Sequence, residues 1–201
     1  MKLRNVLLAI TACSVAAFAQ NPITADSPFQ VSYAANPAAG ESFINIINTG
    51  ANGAPLLGPG FGGAAGNICV NVYAFSPDEQ LISCCSCLVT PNGLASFSVN
   101  DDLIRTTLTG VIPTSAVVKL VGSVPGSGVL AGGMAAWGTT IHAPGADAPF
   151  RVTETPFRPA TLSAQELASI TGRCASILGN GSGFGICRSC RAGALGADKQ
   201  Q

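Results

Sequence analysis

Three cysteines stand within four residues at Cys84-Cys85-Ser86-Cys87. They are answered about a hundred residues later by Cys187-Arg188-Ser189-Cys190. Behind an export signal, clusters of this kind read as disulfide crosslinks, because an oxidising compartment joins thiols that the fold brings together. They constrain the chain to a shape that lays its C-terminal segment against the strand carrying the first cluster. No comparable signal marks a catalytic centre.

The export signal opens the chain. Lys2 and Arg4 form a positive n-region, Val6 to Ala17 is apolar, and Ala17-Phe18-Ala19 is a small-x-small cleavage site before Gln20. The apolar run is too short for a spanning helix and is followed at once by the cleavage site. A competing reading takes Ile10-Thr11-Ala12-Cys13 as a lipoprotein box with Cys13 lipidated, but no acidic or linker-like stretch follows it. With no second apolar segment apparent, the product is expected to be secreted or at the cell surface of a bacterium, without a membrane span.

Removing residues 1–19 takes away two basic residues. Of the ten basic and ten acidic residues, eight basic and ten acidic remain, a net charge near −2. Neither sign clusters, which argues against a nucleic-acid partner and against an electrostatic membrane binder. The charged fraction of 10% is far below the usual quarter. A surface so poor in charge is weakly defended against association. Neighbouring subunits, glycans or a small-residue surface would each account for it.

Glycine and proline punctuate the chain, and the segments between them are short and rich in Val, Ile, Thr and Phe, the pattern of many short strands. Phe29-Gln30-Val31-Ser32-Tyr33 alternates with period two, while Ile68 to Phe75 is a continuous apolar run. Turns at Pro77-Asp78-Glu79-Gln80 and Pro91-Asn92-Gly93 predict an antiparallel meander of three strands: Ile68 to Phe75, Leu81 to Thr90 and Leu94 to Val99. Further strands are expected over Ser42 to Thr49, Ala116 to Val121, Ala135 to His142 and Phe150 to Thr155. Asn100 to Leu108 carries a helical-turn alternative capped by Asn100. One helix is well signed, over about 163–178. Ser163-Ala164-Gln165-Glu166 is a capping box, and Leu167, Ile170, Cys174 and Ile177 fall on one face. Gly179 is expected as its left-handed terminator.

The mature chain keeps seven of the eight cysteines: Cys69, Cys84, Cys85, Cys87, Cys174, Cys187 and Cys190. Three disulfides and one leftover thiol is the plain reading. Strand alternation sends Cys85 and Cys87 to one face and Cys84 to the other. Cys85 and Cys87 are therefore expected to pair among Cys174, Cys187 and Cys190, leaving Cys69 with Cys84 as an adjacent-strand option. A four-thiolate metal site of Cys85, Cys87, Cys187 and Cys190 is the alternative, but an exported chain is a poor place for reduced thiols. No metal and no cofactor is expected.

An enzyme is not expected. His142 is the lone histidine and Gly181-Ser182-Gly183 lacks the strand–turn–helix setting of a nucleophile elbow. Asp78-Glu79 and Asp101-Asp102 are turn and helix-start neighbours without calcium-loop alternation. Trp137 reads as a core residue rather than a sugar-stacking platform. Asn180-Gly181-Ser182 matches the N-glycosylation sequon, making Asn180 a glycan candidate.

The arm over 20–40 motivates the functional expectation. Gln20 to Pro28 is polar, Phe29 to Tyr33 is a compact alternating strand with Phe29, Val31 and Tyr33 on one side, and Ala34 to Gly40 is a linker of small residues. A terminal strand of this kind can be lent to the next copy, and successive head-to-tail additions give a filament. In organisation, over about residues 20–50 and the β-rich body, the chain resembles the donor-strand arrangement of bacterial pilus subunits. The same strand also reads as the first strand of its own sheet. The expected fold is a disulfide-stabilised antiparallel β-sandwich, Ig-like or pilin-like, over 41–201, with one C-terminal helix and a cysteine-pinned loop. The expected function is an exported structural subunit that self-associates into a homopolymer. The alternative is a monomeric secreted module binding carbohydrate or protein through Trp137 and its neighbouring threonines.

Overall fold

The computed structural model describes residues 27–35, 37, 40–57, 63–142 and 151–187, and the backbone of 191–192. The signal segment with Cys13, the polar start of the arm, and Cys190 lie outside the described residues. The strands in chain order are β1 (Phe29–Ala35), β2 (Gly40–Asn48), β3 (Ile68–Phe75), β4 (Leu81–Val89) and β5 (Leu94–Ser98), then β6 (Ser115–Ser123), β7 (Met134–His142), β8 (Arg151–Pro156), β9 (Arg158–Pro159) and β10 (Arg191–Ala192). One helix, α1 (Ala164–Gly179), lies between β9 and β10. The strands form two antiparallel sheets, ordered β4-β3-β6-β1-β9 and β10-β5-β2-β7-β8.

The two sheets face each other across one apolar core, so the architecture is sandwich-like and mainly β. Val70, Val72, Val118 and Leu120 of the first sheet meet Ile44, Ile46, Phe97, Met134 and Ala136 of the second. The first sheet is buried on both faces. Its outer side carries Phe29, Tyr73, Phe75, Leu81 and Val121, and α1 covers them with Ile170 and Ile177. That double burial explains why β3 reads as an unbroken apolar run. No described helix covers the outer side of the second sheet, and no described helix is long and apolar enough to cross a membrane.

The expected three-strand meander breaks at its second turn. β3 and β4 form a hairpin, but β5 crosses to the other sheet and pairs with β2. Asn48 explains the crossing. Its side chain is 1% exposed and donates to the carbonyls of Val89 (2.8 Å) and Gly66 (2.9 Å), while accepting from the Gly50 amide (2.9 Å). Its backbone also binds the turn, with Asn92 N–H donating to Asn48 O and Asn48 N–H to Gly93 O. The Pro91-Asn92-Gly93 turn, with Asn92 at φ 61°, therefore docks on the end of β2. Two other sequence expectations shift. Ser98, rather than Asn100, caps the wide helical turn over 99–104, and Asn100 donates to Pro37 O (2.7 Å). Ser163 caps α1 through the Glu166 amide (3.1 Å), but the Glu166 carboxylate pairs with Lys119 of β6 instead of closing the capping box. The left-handed residue is Gly181 (φ 70°), not Gly179, which is still helical.

Candidate functional site

Two features of the molecule bear on function: the strand β1 with its disulfide-braced surroundings, and the uncovered face of the second sheet.

The cysteines brace the first sheet. Cys84 points to its outer side and bonds Cys174 of α1, with Cα atoms 5.9 Å apart. Cys85 bonds Cys187 at a Cα separation of 5.4 Å. Cys87 is disulfide-bonded as well. The face assignment from strand alternation holds: Cys85 and Cys87 belong with the inter-sheet core and Cys84 with the helix-covered side. The Cys69–Cys84 option does not. In register Cys69 lies opposite Leu88, and Cys84 opposite Tyr73, so Cys84 is nearer the helix than it is to Cys69. Cys69 is free, and burial pushes its thiol pKa upward against the opposing effect of hydrogen bonds with Ser86 and Ser123. The Cys85–Cys187 bond also consumes two sulfurs of the four-thiolate metal alternative. Among the described residues no group of three His, Cys, Asp or Glu side chains is placed to hold a metal.

The bridge to Cys187 has a structural consequence. Residues 185–187 lie parallel to β4 at its free edge, with Cys84 N–H donating to Gly185 O (2.9 Å) and Cys187 N–H to Cys84 O (3.3 Å). An edge strand that would present unpaired backbone groups is thus covered by a crosslinked segment. These disulfides suit an oxidising, extracellular-type environment.

β1 is built into the first sheet between β6 and β9. It pairs with β6 over seven residues, from Phe29 opposite Val121 to Ala35 opposite Ser115. The polarity of its alternation is the reverse of a simple sandwich strand. Phe29 and Val31 lie under α1, whereas Gln30 and Ser32 face the second sheet. Gln30 is 6% exposed and donates from Nε2 to Met134 O across the sandwich at 2.8 Å. Tyr33 is 64% exposed, beyond the reach of the helix. β9 pairs only with Gln30 and Val31, so the second half of β1 has no partner on that side among the described residues.

The second sheet presents an open outer face. Ile44, Ile46, Ala95, Phe97, Met134 and Ala136 point inward, so their strand neighbours point outward. Trp137 is one of these, opposite Asn45 on β2 and Pro156 on β8. Trp137 is therefore a partly exposed face residue, not the core residue its sequence neighbours suggested. Phe43 lies on the same side. Between them runs a line of polar contacts across four strands. Ser96 Oγ donates to Asn45 Oδ1 (2.8 Å), Asn45 Nδ2 donates to Thr139 Oγ1 (2.9 Å), and Thr139 Oγ1 donates to Glu154 Oε1 (3.4 Å). No single residue announces this row in the sequence; its members sit at outward positions of strands assigned separately, beside the apolar outward residues Phe43, Ile47, Trp137 and Ile141. β8 closes the sheet as an edge strand with all six residues exposed.

The remaining sequence candidates do not converge. His142 ends β7, exposed, with Nε2 2.9 Å from Thr153 Oγ1. Asn180 is exposed just beyond α1, its Oδ1 accepting from Ser182 N–H (2.8 Å) and Oγ (2.6 Å). A cavity of about 40 Å³ opens between the sheets, lined by Ser32, Ser42, Gly138, Thr140 and Thr155 among others. That is room for a few waters.

No protein-family model matches the chain, and no curated protein matches it. The crystal structure of Thermotoga maritima 1070 is similar over 68% of this chain and 96% of that one, with a TM-score of 0.41 and 9% sequence identity. A likeness that distant carries no argument about fold or function.

Proposed function

We propose that the protein is an exported structural subunit that self-associates outside the cell by strand addition, in a pilin-like use of its sandwich, with β1 as the exchanged strand. The observation that carries this reading is the double service of β1. It is the first strand among the described residues, and it supplies Phe29 and Val31 to the layer beneath α1 and the Gln30 clamp to the core between the sheets. A sheet without it would expose the seven-residue edge of β6 and an apolar groove under the helix. The β1 of a neighbouring copy has the same sequence and fills that groove with the same contacts. Head-to-tail repetition does not close and gives a filament. The connection from β1 to β2 is four residues long, 36–39, and a short connection between two elements favours their exchange between copies.

The low charge of the chain is in keeping with this role, since little electrostatic repulsion opposes association. Exposed Asn180 would carry any glycan on the helix side, away from β1's register with β6. The experiment is deletion of residues 20–40 from protein exported to an oxidising compartment, with electron microscopy and size-exclusion chromatography of both forms. The full mature chain is expected to give regular filaments and the deletion none. Filaments from the deleted chain would end the strand-addition reading. A second reading, a monomeric binding module, is favoured by one observation, the outward placement of Trp137.

A further inference from the structure

The outer face of the second sheet does not enter the strand-addition reading, and its chemistry is specific. We propose that this face is a docking platform for a neutral, extended polysaccharide. Trp137 and Phe43 serve as its stacking surfaces, and the row Ser96–Asn45–Thr139–Glu154 as its hydrogen-bonding line.

Three observations select that ligand. The first is the pairing of aromatic and polar groups. A pyranose ring has an apolar C–H face and a rim of hydroxyls, each both donor and acceptor. Trp offers a large rigid apolar surface with a polar edge. Beside it, the row offers an amide, two hydroxyls and a carboxylate, a mixture of donors and acceptors. The row is held in place by its own hydrogen bonds, at 2.8, 2.9 and 3.4 Å, so little side-chain ordering remains for binding.

The second is shape. The four strands bearing the row are adjacent in the order β5-β2-β7-β8. At strand spacings of about 4.7–4.9 Å the row runs roughly 14 Å across a sheet, a line rather than a pocket. A linear polymer matches it better than a compact ligand.

The third is charge. The outward positions of β2, β5, β7 and β8 include Glu41 and Glu154 and no lysine or arginine, and β10 adds Arg191 as the register partner of Ser96 at the end of the row. With two carboxylates to one arginine the face offers no cluster of cations to hold a polyanion such as an acidic glycan or a nucleic acid, and a neutral chain needs none.

Trp137 is the single tryptophan of the chain, so its fluorescence reports on this face alone. The test uses the full mature chain from an oxidising compartment. Tryptophan emission is followed during titration with cellohexaose, chitohexaose and, as the anionic counterpart, hexagalacturonate, alongside retention on insoluble cellulose and chitin. The expected result is a saturable emission change with at least one neutral oligomer, none with hexagalacturonate, and retention on the matching polymer. Trp137→Ala should lower retention at least tenfold and Asn45→Ala severalfold, with unfolding midpoints unchanged because both side chains point out of the core. Phe184→Ala, outside this sheet, should leave retention unaltered. The proposal is overturned if no neutral oligomer moves the emission and no polymer retains the protein, or if Trp137→Ala is retained like the parent. It is equally overturned if emission shifts with protein concentration alone, which would assign the face to a second copy. The deletion of residues 20–40 leaves every residue of this face in place, so failure of the filament reading and failure of this one are separable.

Discussion

Removing the bridge between β4 and α1 by the double substitution Cys84→Ala/Cys174→Ala has a magnitude that depends on its neighbour. Taken alone, a crosslink between residues 90 apart closes a loop whose chain-entropy value is about 4.6 kcal/mol. The Cys85–Cys187 bridge changes the reckoning. With that bond intact, the path from Cys84 to Cys174 runs one residue to Cys85, across the disulfide to Cys187, and thirteen residues back. The loop actually closed is about 15 residues, worth about 3 kcal/mol. Cys84 is 0% exposed, so truncation to alanine adds a small packing loss of about 0.5–1 kcal/mol. The expected total is about 3–4 kcal/mol, read as a lowered midpoint at unchanged slope in guanidinium unfolding of the oxidised protein. A loss above about 5 kcal/mol would mean that the two bridges do not share a loop. A loss below about 1 kcal/mol would mean that the bridge does little to restrict the unfolded chain. Either result refutes the nested-loop reasoning.

The other predictions are briefer. Asn48→Ala should destabilise by about 2–4 kcal/mol in the same assay, because it strands the buried carbonyls that now accept from its amide. Ser83→Ala should be neutral or stabilising by up to about 1 kcal/mol, since the buried Ser83 hydroxyl has no hydrogen-bond partner among the described residues. Burial raises the thiol of Cys69 above its ordinary 9.0 and, as the larger of two causes, the phenol of Tyr73 above 10.0. The folded state therefore holds these protons more tightly than the unfolded one. Their contribution is fully present below about pH 9 and is lost as pH climbs through the raised values, so the unfolding midpoint should fall above pH 9. It should not fall there in a Cys69→Ala/Tyr73→Phe variant. Peptide mapping without reductant should recover Cys84–Cys174 and Cys85–Cys187, join Cys87 to Cys190, and leave Cys69 as the one alkylatable thiol of the mature chain.

The elements that were legible in the sequence are those whose cause is local. β3, β4, β6, β7 and β8 follow from β-branched runs between glycine and proline turns, and α1 from Ser163 and the spacing of Ile170, Cys174 and Ile177. Period-two alternation gave the opposite facing of Cys84 and Cys85, although not their partners, which depend on where α1 and the 185–187 segment settle. What was not legible depends on the other sheet. The crossing of β5 is caused by Asn48, forty residues upstream of the turn it captures. β1 reads as apolar-in and is built apolar-out, because α1 supplies a second apolar layer that the alternation of Phe29 and Val31 does not announce. Trp137, set among alanines and glycine, looked like core. Its side of β7 is outward only because Met134 and Ala136 claim the inward register.

Exchange of β1 between copies can be tested with one engineered crosslink. Tyr33 and Val117 are register partners in β1 and β6. Tyr33→Cys/Val117→Cys in a Cys69→Ala background places two thiols on facing positions, and oxidation followed by denaturing, non-reducing electrophoresis reports which chains they join. Exchanged strands give a ladder of covalent multimers from assembled protein, each rung one subunit larger than the last. A single band at the mass of a crosslinked monomer, from a sample that still assembles, would contradict it.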